Sequence, residues 1–256
     1  MKRHGLATLL ALSLAGCAAN PAQAPNSPAT PSRAQASAKI HTELAALYYE
    51  RAQYAVALEE LDYALAAEPG YAPAYNVRGL VQMALHEDAL ADADFQRSLQ
   101  LDGNDSETHN NYGWFLCQHG KPRESIAQFM AALKNPLYAT PGKASLNAGM
   151  CARKSADDAA AEQYFQRALE LQPDLAGAYW ELAQLAFDRG DWVGAKWQFV
   201  RFERAVNAPL QAPQLWLAFR IERALGRQGN PEPYAAQLRN RFPDARETQT
   251  LLYGAP

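Results

Sequence analysis

Few residues in this sequence have side chains that could carry out chemistry, and they are scattered. His109, Cys117 and His119 come nearest to a metal-ligand cluster. Cys117 and His119 lie two residues apart on a predicted helix, so they point to different faces, and no second cysteine stands at zinc-ligand spacing. We find no glycine loop that could cradle a phosphate and no nucleophile beside an obvious base. The sequence therefore predicts a protein that is not an enzyme, with no metal, no cofactor and no small-molecule substrate.

The thiol of Cys17 stands in a context that indicates lipid attachment. A positive cluster at residues 2–4 precedes an apolar run at residues 5–14, which is typical of a secretory signal. The run is too short to span a bilayer, which takes roughly 20 apolar residues. Leu14-Ala15-Gly16-Cys17 then matches the lipobox of bacterial lipoproteins, whose cysteine accepts a diacylglycerol before cleavage. We expect a signal peptide at 1–16 and an acylated Cys17. The alternative is an ordinary signal peptide that happens to contain a cysteine.

The residues that follow Cys17 bear on location and on partners. Ala18, rather than an aspartate, comes next, and by resemblance to enterobacterial sorting rules this favours the periplasmic face of the outer membrane. Residues 17–37 are rich in Ala, Pro, Gln and Ser and offer little to bury, so we expect a disordered tether. The formal net charge is −3, and loss of the signal peptide would remove two positive charges and make the net charge more negative. The sequence has no basic stripe of the kind that binds a polyanion, so nucleic acid is not an expected partner.

Two further cysteines, Cys117 and Cys151, would lie in an oxidising compartment where they could pair. A disulfide needs Cα atoms within about 7 Å of each other, a distance that the sequence does not give. We favour the interpretation that both are reduced residues that pack between helices.

A spacing of 34 residues recurs along most of the remaining chain and is the length of the tetratricopeptide repeat. Small residues recur at positions 8, 20 and 27 of the units, where two antiparallel helices must approach closely, except that Phe202 stands at position 27 of the fifth unit. Gly120 and Gly190 both stand at position 15, where we expect a left-handed residue between the two helices. The pattern predicts five hairpins, at 38–71, 72–105, 106–141, 142–175 and 176–209. A degenerate capping hairpin is expected at 210–243 and a tail at 244–256. Residues 245–253 of the tail could dock as a last helical turn. The predicted fold class is all-α, a right-handed superhelix of about six tetratricopeptide hairpins.

In such a superhelix the first helix of each hairpin lines a concave groove. Reading the groove positions of the five units gives a set of large apolar side chains rimmed by amides, which is the composition of a protein-binding surface. The candidate groove residues are Tyr49, Asn76, Leu80, Met83, Asn110, Trp114, Met150, Arg153, Trp180, Gln184 and Phe187. The alternative is that Leu80, Met83 and Met150 pack between neighbouring first helices, an alternative that fits the bulky tryptophans less well.

Three stretches of sequence resemble one family. The segment Asn110-Asn111-Tyr112-Gly113-Trp114-Phe115-Leu116, the insertion at 137–141 and the capping residues Leu215 to Ile221 are similar to those of the type IV pilus biogenesis lipoproteins of the PilF/PilW family. The resemblance implies six repeats, an outer-membrane lipid anchor and a role as pilotin, which guides the pilus secretin to the outer membrane and supports its multimerisation. The residues that it carries over are Cys17, Tyr49, Asn76, Leu80, Met83, Asn110 and Trp114.

Two other functions remain open at this point. Periodicity alone suits any scaffold, including a lipid-anchored one for cell-wall or lipopolysaccharide assembly machinery. A repeat-bearing enzyme or its regulatory subunit is a poorer alternative, because the sequence offers no domain outside the repeats.

Overall fold

The computed structural model describes residues 32–254. The predicted signal peptide, Cys17 and most of the predicted tether lie outside the described residues. Among the residues described, no helix is both long enough and apolar enough to cross a membrane.

Thirteen α-helices follow one another in the described part of the chain. Their bounds are α1 Arg33–Glu50, α2 Tyr54–Ala67, α3 Ala72–Ala84, α4 Asp88–Leu101, α5 Ser106–Gln118, α6 Pro122–Ala132, α7 Pro141–Lys154, α8 Asp158–Leu171, α9 Ala176–Asp188, α10 Trp192–Ala205, α11 Ala212–Ala224, α12 Glu232–Arg241 and α13 Arg246–Tyr253, with a short 3-10 turn at Gly226–Gln228. Consecutive helices pair as antiparallel hairpins, from α1 with α2 to α11 with α12. The predicted superhelical array of tetratricopeptide hairpins is confirmed.

The first helix begins earlier than the sequence pattern indicates. Arg33 is already helical, so the expectation of disorder up to residue 37 is wrong for its last five residues. The physical reason is a capping box at Ser32. The Ser32 hydroxyl accepts from the Gln35 amide at 3.1 Å, and the Ser32 amide donates to the Gln35 side chain at 3.0 Å. These two bonds satisfy amide groups that a helix start otherwise leaves open.

Each of the five regular hairpins packs a phenylalanine or a leucine at position 24 against a small residue at position 8. In the third unit a Cβ added to Gly113 would lie 2.8 Å from the Phe129 ring, so only glycine allows this approach of α5 to α6. The same ring position also joins successive hairpins, since the centroid of Phe95 on α4 lies 5.7 Å from that of Phe115 on α5. The small residues in the sequence pattern therefore set both the hairpin spacing and the stacking of one unit on the next.

A left-handed residue separates the two helices of every regular unit. Position 15 has a positive φ in all five units, with values from 55° to 79° at Ala52, His86, Gly120, Ala156 and Gly190. The prediction for Gly120 and Gly190 is confirmed. The other three units place an Ala or His in a conformation that L-residues adopt at a cost, so the repeat geometry rather than the residue type determines this turn.

The C-terminal segment after the sixth hairpin also folds onto the array. Helix α13 packs against α11 and α12. Its Thr248 is buried, and the Thr248 hydroxyl donates to the Phe242 carbonyl at 2.7 Å. The predicted docking of a last helical turn is confirmed, and the turn is an eight-residue helix.

Candidate protein-binding groove

The first helices of the five regular hairpins form one continuous row. Contacts join α1 to α3, α3 to α5, α5 to α7 and α7 to α9, whereas each second helix contacts the first helix of the next unit. A row of helices in direct side-by-side contact occupies the inside of the superhelical curve. Side chains at equivalent positions of successive first helices therefore form a single strip along the groove.

Asparagine amides link three of these helices below the groove. The Asn147 amide on α7 donates to the Asn110 carbonyl oxygen on α5 at 3.0 Å. The Asn111 amide on α5 donates to the Asn76 oxygen on α3 at 3.1 Å, and Asn110 donates to Asn111 at 3.5 Å. This chain of amides satisfies polar groups that would be costly to bury alone. Asn111 and Asn147 were not among the predicted site residues, although both stand at position 6 of their units, and that shared register could have identified them.

Three candidate groove residues are buried in the structure. Asn110 is 1% exposed, Asn76 is 6% exposed and Phe187 is 8% exposed. Asn76 and Asn110 use their amides to join first helices, and Phe187 packs in the core beside Trp192, with ring centroids 4.8 Å apart. In the structure these side chains support the groove from below, and their direct contact with a partner stays a prediction.

The remaining apolar candidates are half-buried. Leu80 and Met83 pack on the core cluster around Phe95, Trp114 packs on the cluster around Phe129, Met150 on that around Phe165, and Trp180 on that around Phe199. Each keeps part of its surface accessible. Packing between helices and exposure to the groove, the two alternatives for these residues, therefore both apply to the same side chains.

The two polar candidates Arg153 and Gln184 differ in their surroundings. Arg153 is held by two carboxylates of α9, with its guanidinium 2.8 Å from Glu181 and 2.7 Å from Asp188. It bridges two first helices and its charge is neutralised. Gln184 is half-buried on the same helix as these carboxylates.

Tyr49 lies at the amino-terminal end of the strip and is also half-buried. Burial raises the pKa of the Tyr49 phenol above its ordinary value, with a smaller contribution from Tyr54. The hydroxyl is therefore a neutral donor at physiological pH.

A disulfide joins the third and fourth first helices. Cys117 on α5 and Cys151 on α7 are bonded, with Cα atoms 5.7 Å apart. The favoured interpretation that both are reduced is wrong. Both sulfurs are buried next to Phe129 and Ala148, and the half-buried Trp114 covers the same cluster. The bond therefore fixes α5 against α7 at the middle of the groove.

The sixth first helix extends the strip with residues that the sequence reading missed. Trp216, Arg220 and Arg223 on α11 occupy the same steps along the helix as Trp180, Gln184 and Phe187 on α9. The Arg220 guanidinium lies 4.2 Å from the centroid of the Phe187 ring, and Arg223 lies 5.4 Å from that of Phe219. Counting from the start of α11, rather than from the predicted unit boundary at residue 210, would have identified them.

The arrangement provides a binding surface of mixed chemistry. Apolar side chains predominate from α3 to α9, and stacked arginines lie at the α11 end. Within residues 32–254, no group of three or more His, Cys, Asp or Glu side chains is placed to hold a metal ion.

Comparisons with known proteins agree with this architecture. A tetratricopeptide repeat model matches residues 142–175, the bounds predicted for the fourth unit. The chain is 26% identical over 247 residues to the type IV pilus assembly protein PilF of Pseudomonas aeruginosa, a match that covers 96% of each chain. A solved structure of PilF from the same species is 23% identical to this chain, with a TM-score of 0.77 over 86% of this chain and 98% of that one, and this match supports the fold only.

The crystal structure of PilW, a widely conserved type IV pilus biogenesis factor, gives the family. It is 36% identical to this chain and has a TM-score of 0.77, and the match covers 84% of this chain and 98% of PilW. The predicted membership of this family is thereby confirmed. The chain belongs to the PilF/PilW family of type IV pilus biogenesis proteins, which are built from tetratricopeptide repeats.

Proposed function

We propose that this protein is an outer-membrane lipoprotein that acts as a pilotin. In this role it binds the type IV pilus secretin and supports the secretin's localisation to the outer membrane and its multimerisation. Its action is binding rather than catalysis. The observation that carries the proposal is the strip of half-buried apolar side chains along the first helices, in a chain of a pilus biogenesis family.

The chemistry of the strip suits a protein segment. Leu80 and Met83 on α3 and Trp114 on α5 offer apolar anchors on helices that the asparagine chain and the disulfide hold in fixed register. A rigid row of anchors loses little conformational freedom on binding, and this favours affinity. Aromatic and large apolar side chains of this type dominate the energetics of protein interfaces.

The lipid anchor supplies the location in this proposal. An acylated Cys17 would hold the chain at the periplasmic face of the outer membrane, since two or three acyl chains give stable attachment. Sixteen Cα steps separate Cys17 from the start of α1 at Arg33, so the array lies at most about 55 Å from the anchored cysteine. A partner held in the groove would therefore stay within reach of the membrane.

Replacing Cys17 with serine tests the anchor. The expected result is that the chain leaves the outer-membrane fraction and that twitching motility is lost, because the cargo no longer reaches its membrane. Sucrose-gradient fractionation of the envelope, with immunoblots for this chain, measures the first effect, and motility on agar measures the second.

An Ala18→Asp variant serves as the matched control. It keeps the acylated cysteine but is expected to retain the chain in the inner membrane, so it separates attachment from destination. A Cys17→Ser chain that remains in the outer membrane with normal motility would rule out the lipid anchor.

A further inference from the structure

One outer helix of the array carries an exposed stripe unlike that of any other regular unit. The α10 outer stripe consists of Val193, Trp197, Val200, Arg201 and Arg204, spaced at helical intervals along one face. Trp197 is 56% exposed and Val193 is 68% exposed. Helix α10 is a second helix of its hairpin, so this stripe is separate from the groove formed by the first helices.

The other repeats show that the fold does not require a large apolar residue at the positions of Trp197 and Val193, whereas Arg97 and Arg167 stand at the position of Arg201 in two of them. At the position of Trp197 they carry Glu59, Ala93, Ala127 and Gln163, and at the position of Val193 they carry Ala55, Ala89, Arg123 and Ala159, all exposed. These eight residues are small or polar, as expected for a solvated helix face. Stacking of the repeats therefore does not explain the exposed Trp197 between Val193 and Val200.

The stripe borders a shallow depression between α10 and the loop before α9. The depression has a volume of about 750 Å³ and is lined by Pro173 and Tyr179 as well as by the stripe. A concave site with an aromatic rim suits an inserted side chain of a partner better than the flat surface of a membrane.

Cations at the stripe are positioned but not neutralised. The Arg201 guanidinium lies 4.5 Å from the Trp197 ring centroid and 5.0 Å from that of Tyr179, and it donates to the Tyr179 hydroxyl at 3.1 Å. Among residues 32–254, neither Arg201 nor Arg204 has a carboxylate within ion-pair distance. Lys196 beside them is paired with Glu222 at 2.9 Å, and Asp174 is the carboxylate at the rim.

We propose that the α10 outer stripe is a second docking surface, which binds an acidic amphipathic helix of a partner protein. The stripe extends over eleven residue steps, or roughly 17 Å along α10, which corresponds to about three helical turns of a partner. Apolar anchors of that helix would cover Val193, Trp197 and Val200, and its carboxylates would pair with Arg201 and Arg204.

The test uses the full chain carrying Cys17→Ser in every sample, so that acylation cannot contribute to binding. The probe is a fluorescein-labelled peptide of about three helical turns, with leucines on one face and glutamates elsewhere. A second peptide has glutamine in place of every glutamate. Vesicles of phosphatidylglycerol and phosphatidylcholine test the alternative of an anionic lipid surface.

Two variants remove the stripe in different ways. Val193→Ala with Trp197→Gln and Val200→Gln introduces the residues that α8 carries at these positions, so the fold should tolerate it. Arg201→Glu with Arg204→Glu reverses the charge. The matched controls are Tyr63→Ala, which removes an aromatic residue that is 52% exposed on α2, and Arg123→Glu, which reverses an exposed charge on α6.

Saturable binding of the glutamate peptide is expected, weakened at least roughly tenfold by either stripe variant and by added salt, and unchanged in both controls. Equal binding by the stripe variants, equal binding of the glutamine peptide, or no saturable binding below about 1 mM would each overturn the proposal. Binding to vesicles without binding to the peptide would replace it with a lipid surface.

Discussion

If the chain acts as the proposed pilotin, Leu80→Ala combined with Trp114→Ala is expected to weaken capture of the pilus secretin on the order of 1000-fold, because each truncation of an interface anchor costs about 2 kcal/mol or more. The two residues occupy equivalent positions on α3 and α5, helices that contact each other. Both keep part of their surface open to the groove while the rest packs on the core. Pull-down of purified secretin, quantified against the chain with both residues intact, measures the loss.

Stability must be separated from binding in this experiment. Truncating half-buried side chains leaves partial cavities, so we expect the melting temperature to fall. Ile126→Ala is the matched control, since Ile126 packs on the same cluster as Trp114 but lies on α6, away from the row of first helices. It should lose comparable stability and keep secretin capture. Undiminished capture by the double variant, measured well below its melting temperature, would place the interface on the outer face of the array.

Replacing Cys117 and Cys151 with alanine is expected to lower the free energy of unfolding by about 3–4 kcal/mol, the loop entropy that a cross-link across 34 residues removes from the unfolded chain. For a chain of this size that corresponds to a fall in melting temperature of roughly 6–16 °C. Repeat arrays are stabilised by contacts between neighbouring units, so the loss should be concentrated where α5 meets α7. Thermal and urea unfolding monitored by circular dichroism measure both quantities.

Reduction provides a control for the disulfide prediction without a second set of mutations. Dithiothreitol should destabilise the parent chain by a similar amount and leave the double-alanine variant unchanged. A parent chain whose melting temperature does not respond to dithiothreitol would show that the bond contributes little to stability.

The register of the repeats was predictable because a few residue types recur where helices must approach or turn. The contact between α5 and α6 is predictable from the small size of Gly113 opposite the ring of Phe129. The turn between the two helices of a unit is predictable from Gly120 and Gly190, because glycine tolerates a positive φ. Ala52, His86 and Ala156 adopt the same turn although their own preferences oppose it. There the contacts of the whole hairpin override the local cost, so the 34-residue period predicts the turn where the residue type does not.

The details of the groove do not follow from the sequence. A groove position in the repeat register does not distinguish a side chain that faces a partner from one that joins two helices, and Asn110 proved to be the second kind. The two-residue insertion places Cys117 and Cys151 at different positions of their units, so the register alone does not align them for bonding. The start of α1 was predictable in principle, because Ser32 and Gln35 have the types and spacing of a capping box, although the polar composition around them favours disorder.

The most direct test of the pilotin proposal is the state of the secretin in a strain from which this gene has been cleanly deleted. Detergent-resistant secretin multimers in the outer membrane should disappear, and they should return with the parent chain but not with the Leu80→Ala and Trp114→Ala chain. Secretin multimers that are unchanged in the deletion strain would contradict the proposal. An altered cell shape or detergent sensitivity in that strain would then favour a scaffold for cell-wall or lipopolysaccharide assembly.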